Sequence, residues 1–438
     1  MFLKLRKSPK PIRLKMERRK FIKDLAAFAA LPIAAPLMGA ISSGKIKPNA
    51  KILLRSSWQT VNIGDIGHTF GIVELFNTYL PGAEVTLWPN NLENGVDELL
   101  KKSFSNLKLA PGKIDAAGKP TTPELRQAFE TCDIMVHGSG PWIVVPADLA
   151  AWYKQTGKPF GMYGISLVDG DAASIDLINK ASFIYCRDTA SLDYLKSLKS
   201  KCPVTEFAPD ATFAINLRND QLATDYLNRV GLKKGEFICV IPRLRYTPYW
   251  KMKGTKPTEE EAKKYMISQY YNEMDHVKLR EVIIRWVRET GLKVLACPEV
   301  IYQVGLAKEI LVDPLPEDVK KQVVWRDTYW IPDEAQSVYA QARALISFEM
   351  HSPIIAFSSN VPAIHLRQPT DTRKGQMWAD IGLAEWLFEI DFTSGNQIGD
   401  ALMEIHGDYP KALKKLAKAK EFVVRRQKDS IHKIIDSI

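Results

Sequence analysis

The sequence predicts an α/β chain with two doubly wound parallel sheets and a closing C-terminal helix. Two observations carry this reading. Short runs rich in β-branched and aromatic residues alternate with amphipathic stretches along nearly the whole length, with room for a crossover helix between successive runs. About 390 residues beyond the leader also exceed one ordinary hydrophobic core and call for two domains.

The strand candidates of the first half are 51–58, 84–88, 133–137, 159–165, 183–187 and 204–207. Those of the second half are 237–243, 292–297, 323–326, 344–348, 363–366 and 387–390. A polar helix at 219–236, ending in Gly-Leu-Lys-Lys-Gly, is the natural boundary. Residues 1–45 read as leader and linker, 46–220 as the first domain, 221–235 as a linker, 236–398 as the second domain and 399–438 as the C-terminal helix. Two segments break the alternation. The Gly-, Pro- and Lys-rich stretch 107–123 reads as a surface loop, and the Tyr-, Trp- and Lys-rich stretch 244–272 as a cover over the cleft. From residue 409 onward apolar positions Leu413, Leu416, Phe422, Val423, Ile431, Ile434 and Ile435 form a helical stripe, expected to dock on the protein rather than on a membrane surface.

Net charge is +10 over the chain, and the first fifty residues hold all of that excess. Residues 51–438 carry 48 basic and 48 acidic side chains. A neutral body argues against nucleic acid as a partner. The basic leader has the order of a twin-arginine export signal: Glu17-Arg18-Arg19-Lys20-Phe21-Ile22-Lys23, then an apolar run from Leu25 to Ala40. Pro32 and Pro36 break that run, which falls short of the roughly 20 apolar residues that a permanent span requires. The expected destination is the periplasm, after folding in the cytoplasm. The five cysteines lack any C-x-x-C spacing, which argues against a zinc site and a disulfide framework alike. Cys132, Cys186, Cys239 and Cys297 read as buried, and Cys202 as the exposed thiol.

Ligands of doubly wound folds sit beyond the carboxyl ends of the strands, so the residues just after each strand matter most. After the first strand comes Asn62-Ile63-Gly64-Asp65 leading into a helix, where Gly64 permits a close approach, Asp65 is a cap candidate and the helix N-terminus can take an anion. Gly138-Ser139-Gly140 follows the third strand, with Trp142 beside it. Arg187, after the fifth, is either a phosphate or carboxylate ligand or the partner of Asp188 or Asp210. Asp210 is a hydrogen-bond acceptor at the close of the first domain. In the second half, Arg243 and Arg245 end a strand and can supply positive charge, while Tyr246, Tyr249, Trp250 and Trp142 offer faces for sugar rings. His351 stands at the start of a short helix, where an imidazole can exchange protons or simply pack.

Taken in order, five segments resemble the polysaccharide pyruvyl transferase family: Asn62-Ile63-Gly64-Asp65, Gly138-Ser139-Gly140, Arg187-Asp188-Thr189-Ala190-Ser191, Pro209-Asp210-Ala211-Thr212-Phe213, and His351 followed by Val361-Pro362-Ala363-Ile364. The resemblance implies two Rossmann-like halves arranged as in GT-B glycosyltransferases. It also implies transfer of a pyruvyl unit from phosphoenolpyruvate to two sugar hydroxyls as a ketal, without metal or other cofactor. His351 would be the acid, with Arg243, Arg245, Arg187 and Lys374 as donor ligands. The family usually places Arg two residues before that histidine, and this chain has Glu349. A carboxylate there would repel the donor by on the order of 1–4 kcal/mol at 4 Å. Either another cation compensates or the donor has changed, so a glycan-binding protein of the same fold that does not pyruvylate is the alternative.

Overall fold

The computed structural model describes residues 49–56, 59–167, 170, 172–371 and 373–436. The export signal and Trp58 lie outside the described residues. The first half has seven strands: β1 Lys51–Arg55, β2 Glu84–Trp88, β3 Lys108–Leu109, β4 Ile134–His137, β5 Phe160–Ile165, β6 Phe183–Cys186 and β7 Thr205–Phe207. The second has six: β8 Phe237–Ile241, β9 Lys293–Ala296, β10 Val323–Trp325, β11 Ala344–Ser347, β12 Ala363–Arg367 and β13 Leu387–Glu389. Strand order is β3-β2-β1-β4-β5-β6-β7 in one sheet and β10-β9-β8-β11-β12-β13 in the other, with parallel pairing throughout. Both orders reverse direction once, between β1 and β4 and between β8 and β11. The crevices that doubly wound sheets offer to ligands lie at those points.

Fully buried strands such as FICVI of β8 explain the near-continuous apolar runs, because helices cover both faces of a parallel sheet. Helix α1 (Ile63–Tyr79) is buried along most of its length and meets both halves, with Gly67 close to Thr212 and Gly64 close to His351. Its glycines make this fit possible. A Cβ on Gly71 would stand 2.5 Å from the Ala211 carbonyl carbon, in the 3-10 turn Ala211–Ala214. Gly71→Ala is therefore expected to destabilise the fold by about 1–3 kcal/mol or more, read from urea denaturation, because the obstacle is backbone rather than a movable side chain.

Helix α2 (Thr189–Ser197) is capped by Asp188. The long helix α3 (Glu259–Thr290) begins in a Thr258/Glu261 capping box and ends at left-handed Gly291. Helix α4 (His351–Ser358) follows β11. The C-terminal helix α5 (Tyr409–Ile435) buries Leu416, Val423, Ile431 and Ile434, so its apolar stripe docks on the protein. It reaches both halves: Ser430 Oγ is 3.0 Å from Tyr163 Oη, and Lys420 Nζ donates to the Ser358 carbonyl at 2.9 Å. No helix among the described residues is long and apolar enough to cross a membrane.

Three expectations need correction. The stretch 107–123 is not only loop, since Lys108–Leu109 pairs with β2 and widens the sheet. The segment 244–272 is a cover only in its first half, where Tyr246, Tyr249 and Trp250 line a cavity, and its second half is the start of α3. Cys202 is buried, with its thiol directed at the Val204 carbonyl.

Candidate active site

The loops after β1, β8, β9 and β11 meet in one cleft. Asn62 caps α1, accepting from Gly64 N at 2.9 Å and Asp65 N at 3.4 Å, while Ile63 N donates to the Glu299 carbonyl at 3.0 Å. The expected anion site at this helix N-terminus is therefore taken up by protein groups, and Asn62 is the cap in place of Asp65. Gly64 admits a side chain rather than a ligand, because the His351 ring lies where its Cβ would be. Asp65 faces the cleft, where low-dielectric surroundings push its carboxyl up to about 6 against the pull of His68 and Lys374.

One turn beyond Gly64, His68 presents Nδ1 to Asp210 Oδ1 and to Thr212 Oγ1, each at 3.0 Å. Arg187 Nη1 donates to the other Asp210 oxygen at 2.8 Å, and its Nε donates to Ser166 Oγ at 3.0 Å. Burial alone would raise the Asp210 carboxyl, but His68 and Arg187 outweigh it and hold the group well below its usual range. The carboxylate thus orients His68 much as a triad aspartate orients its histidine. Of the two roles open to Arg187, the structure shows the internal one: it is buried and paired with Asp210.

His351 opens α4 and packs edge-on against His68, ring centroids 4.5 Å apart at 85°. It is buried, and neither ring nitrogen has a hydrogen-bond partner. Glu299 Oε1, likewise without a hydrogen-bond partner, stands 3.4 Å from Nδ1, and Glu299 Oε2 accepts from Ser352 N at 2.6 Å. Burial first, then His68 and Lys374, hold His351 well below the usual imidazole range, which favours its neutral form.

Glu349 turns away from His351. It accepts from Gln303 Nε2 at 2.8 Å and lies 3.1 Å from Arg243 Nε. Arg243 also pairs with Asp371. A cation therefore compensates Glu349, and the same pairing lowers what Arg243 can give an incoming anion. Burial pushes Glu349 up to about 7, despite Arg243. Because the folded value lies above the ordinary 4.5, the native state keeps a proton that the unfolded chain has lost. Stability from this group is full below pH 4.5 and falls as pH rises through about 7. The melting temperature of wild type relative to Glu349→Gln should fall across that window, and parallel curves would contradict the assignment.

Arg245 is clamped by Asp275 at 2.7 and 2.9 Å and by Asp391, and lies over the Tyr271 ring. Lys374 has no ion pair with a described residue, and it lines a cavity of about 440 Å³ together with Trp142, Arg243, Tyr246, Tyr249 and Trp250. The aromatic candidates and Lys374 thus come together. Gly138-Ser139-Gly140 is tied back to β1 and β5, with Gly138 N donating to Arg55 O and Ser166 N to Gly140 O. Its Ser139 hydroxyl is buried without a partner, pressed close to left-handed Gly164.

Sequence reasoning missed His68, Glu299 and Gln303. His68 stands four residues after Gly64, on the same helical face. Glu299 follows the end of β9, as His351 follows β11. Those two positional signals would have found both.

Two parallel sheets of this kind, with a pair of imidazoles between them, define a GT-B-like α/β protein. The polysaccharide pyruvyl transferase family model matches residues 62–368, and the chain belongs to that family. No curated protein matches it in sequence. Among solved structures, HepE of Anabaena in complex with UDP and glucose superposes with a TM-score of 0.53 at 11% identity, over 89% of this chain and 100% of that one. MnaA of S. aureus with UDP gives 0.54 at 14%, over 87% and 97%. UDP-GlcNAc 2-epimerase from Neisseria meningitidis, bound to UDP-GlcNAc, gives 0.52 at 11%, over 88% and 100%. At such identities the likeness is one of fold.

Proposed function

We propose that this protein transfers a pyruvyl group from phosphoenolpyruvate to two hydroxyls of an envelope or extracellular glycan, leaving a cyclic ketal and inorganic phosphate. The observation that carries the reading is the His68–His351 pair, backed by Asp210 on one side and Glu299 on the other. In the first step C3 of the enol phosphate takes a proton from His351 while a sugar oxygen adds to C2 and gives its proton to His68. Loss of phosphate and addition of the second hydroxyl then close the ketal, releasing that hydroxyl's proton. The trianionic donor, held by Lys374, would itself raise His351 toward the protonated form. Trp142, Tyr246, Tyr249 and Trp250 would carry the acceptor. The test is to mix the protein with phosphoenolpyruvate and isolated envelope glycans: one phosphate released per pyruvate incorporated is expected, and no release with any of them rejects the reading.

Delivery to the periplasm through the twin-arginine route belongs to the same proposal. It is supported by the order of residues 17–40, and is tested by whether Arg18→Lys with Arg19→Lys keeps the protein in the cytoplasm.

One observation favours a second reading, binding of a glycan without transfer: Arg243 and Arg245 are both neutralised by carboxylates. On that reading glycan-array binding persists in His351→Ala and weakens in Trp250→Ala.

A further inference from the structure

His68, Asp210 and His351 each present a ligand atom within 4.8 Å of the other two, and all three are buried. They come from three separate elements: α1, the turn after β7, and the start of α4 in the other half of the chain. Both His351 ring nitrogens lack a hydrogen-bond partner, as does Glu299 Oε1 beside them. Buried polar atoms without partners are costly, and one of the two His351 nitrogens is the ligand atom that lies within reach of His68 and Asp210. We propose that the three residues form a binding site for one divalent transition-metal ion of the zinc type, which joins the two halves of the chain.

The donor set is two imidazoles and one carboxylate, the set that zinc and its neighbours favour. Tetrahedral zinc with bonds of about 2.0–2.1 Å separates its ligand atoms by about 3.3 Å. The 3.0 Å between His68 Nδ1 and Asp210 Oδ1 already approaches that edge, so the ion replaces the proton that now bridges them. The His351 nitrogen moves in by at most about 1.5 Å to complete the third corner. Arg187 keeps Asp210 Oδ2 and fixes the carboxylate, as partners behind a ligand commonly do. Asp65 and Glu299 add negative charge nearby, and Lys374 opposes it.

The inference is independent of pyruvyl transfer, although the two compete for the same ring: a metal on His351 leaves it no lone pair for a proton. The experiment titrates Zn²⁺, and Co²⁺ as a spectroscopic stand-in, into chelator-treated full chain without donor or glycan. One ion per chain is expected, with visible Co²⁺ bands of nitrogen ligation and a rise in melting temperature of about 3 °C or more at saturation. His68→Ala and His351→Ala, checked for fold by circular dichroism, should each weaken binding at least tenfold. Equal binding by these variants, or no stoichiometric binding, overturns the site. Binding without a rise in melting temperature overturns the joining of the halves. Pyruvyl transfer is assayed separately in chelator, so its failure and the failure of the metal site are distinguishable. If both stand, zinc inhibits the transfer and chelator restores it.

Discussion

His351→Ala is expected to lower pyruvate incorporation by on the order of 10²–10⁴-fold, the usual worth of a positioned acid. The expectation rests on where the ring is held. His351 opens α4 from the second half, yet it packs in the space over Gly64 and against His68 of the first. Its nitrogens have no hydrogen-bond partner, with Glu299 Oε1 3.4 Å from Nδ1, so removing them breaks no internal hydrogen bond. The fold should survive, with a modest loss from the cavity. His351→Gln, which restores volume but cannot shuttle a proton, should be equally inactive and more stable than the alanine variant. Retained activity in either would remove His351 from the chemistry.

The second large effect is expected from Gly64→Ala. Its new Cβ would stand 2.5 Å from both Cβ and Cγ of His351, a distance that real side chains do not reach. The backbone at Gly64 has no left-handed requirement, and alanine favours helix over glycine by about 1 kcal/mol. Any loss must therefore come from the contact between the halves. We expect pyruvate incorporation to fall at least a hundredfold and the melting temperature to drop, since the ring can escape only by moving α4. Gly305→Ala is the control. That glycine also lies in a helix but has nothing within 4 Å of a built Cβ, so the same change should be neutral or stabilising. A stable, active Gly64→Ala would mean that the ring moves freely and that its position is not what matters.

The architecture was largely legible in the sequence, because parallel strands covered on both faces read as continuous apolar runs and the helices between them keep their period. The strand ends and the edge strand Lys108–Leu109 were less so, since two residues give no periodic signal and their pairing with β2 is a tertiary contact. In the candidate site, His351 and Lys374 were named from motif and position, and the structure sets His351 against His68 and Lys374 in the cavity lining. Arg243 and Arg245 were read as ligands because the sequence shows a positive charge but not its partner, while for Arg187 the sequence left a ligand and a pair with Asp188 or Asp210 both open, and the structure shows the Asp210 pair. Asp210, Asp275, Asp371 and Asp391 are 23 to 146 residues away from the arginines they pair with, and nothing local announces them. Glu349 shows the same limit from the other side: alone it reads as repulsion, and beside Arg243 it is compensated.

The most direct test of the account is calorimetric titration of phosphoenolpyruvate into the full chain and into Lys374→Ala. With Arg243, Arg245 and Lys264 paired, Lys374 is the cation among the described residues lining the cavity that has no ion pair, and it is the one proposed to hold the donor beside His351. Saturable binding at one site per chain is expected, weakened about tenfold or more without the lysine, which corresponds to one lost ion pair of about 1.4 kcal/mol. No binding by the wild type, or equal affinity in both proteins, would contradict the claim that this cleft takes the anionic donor.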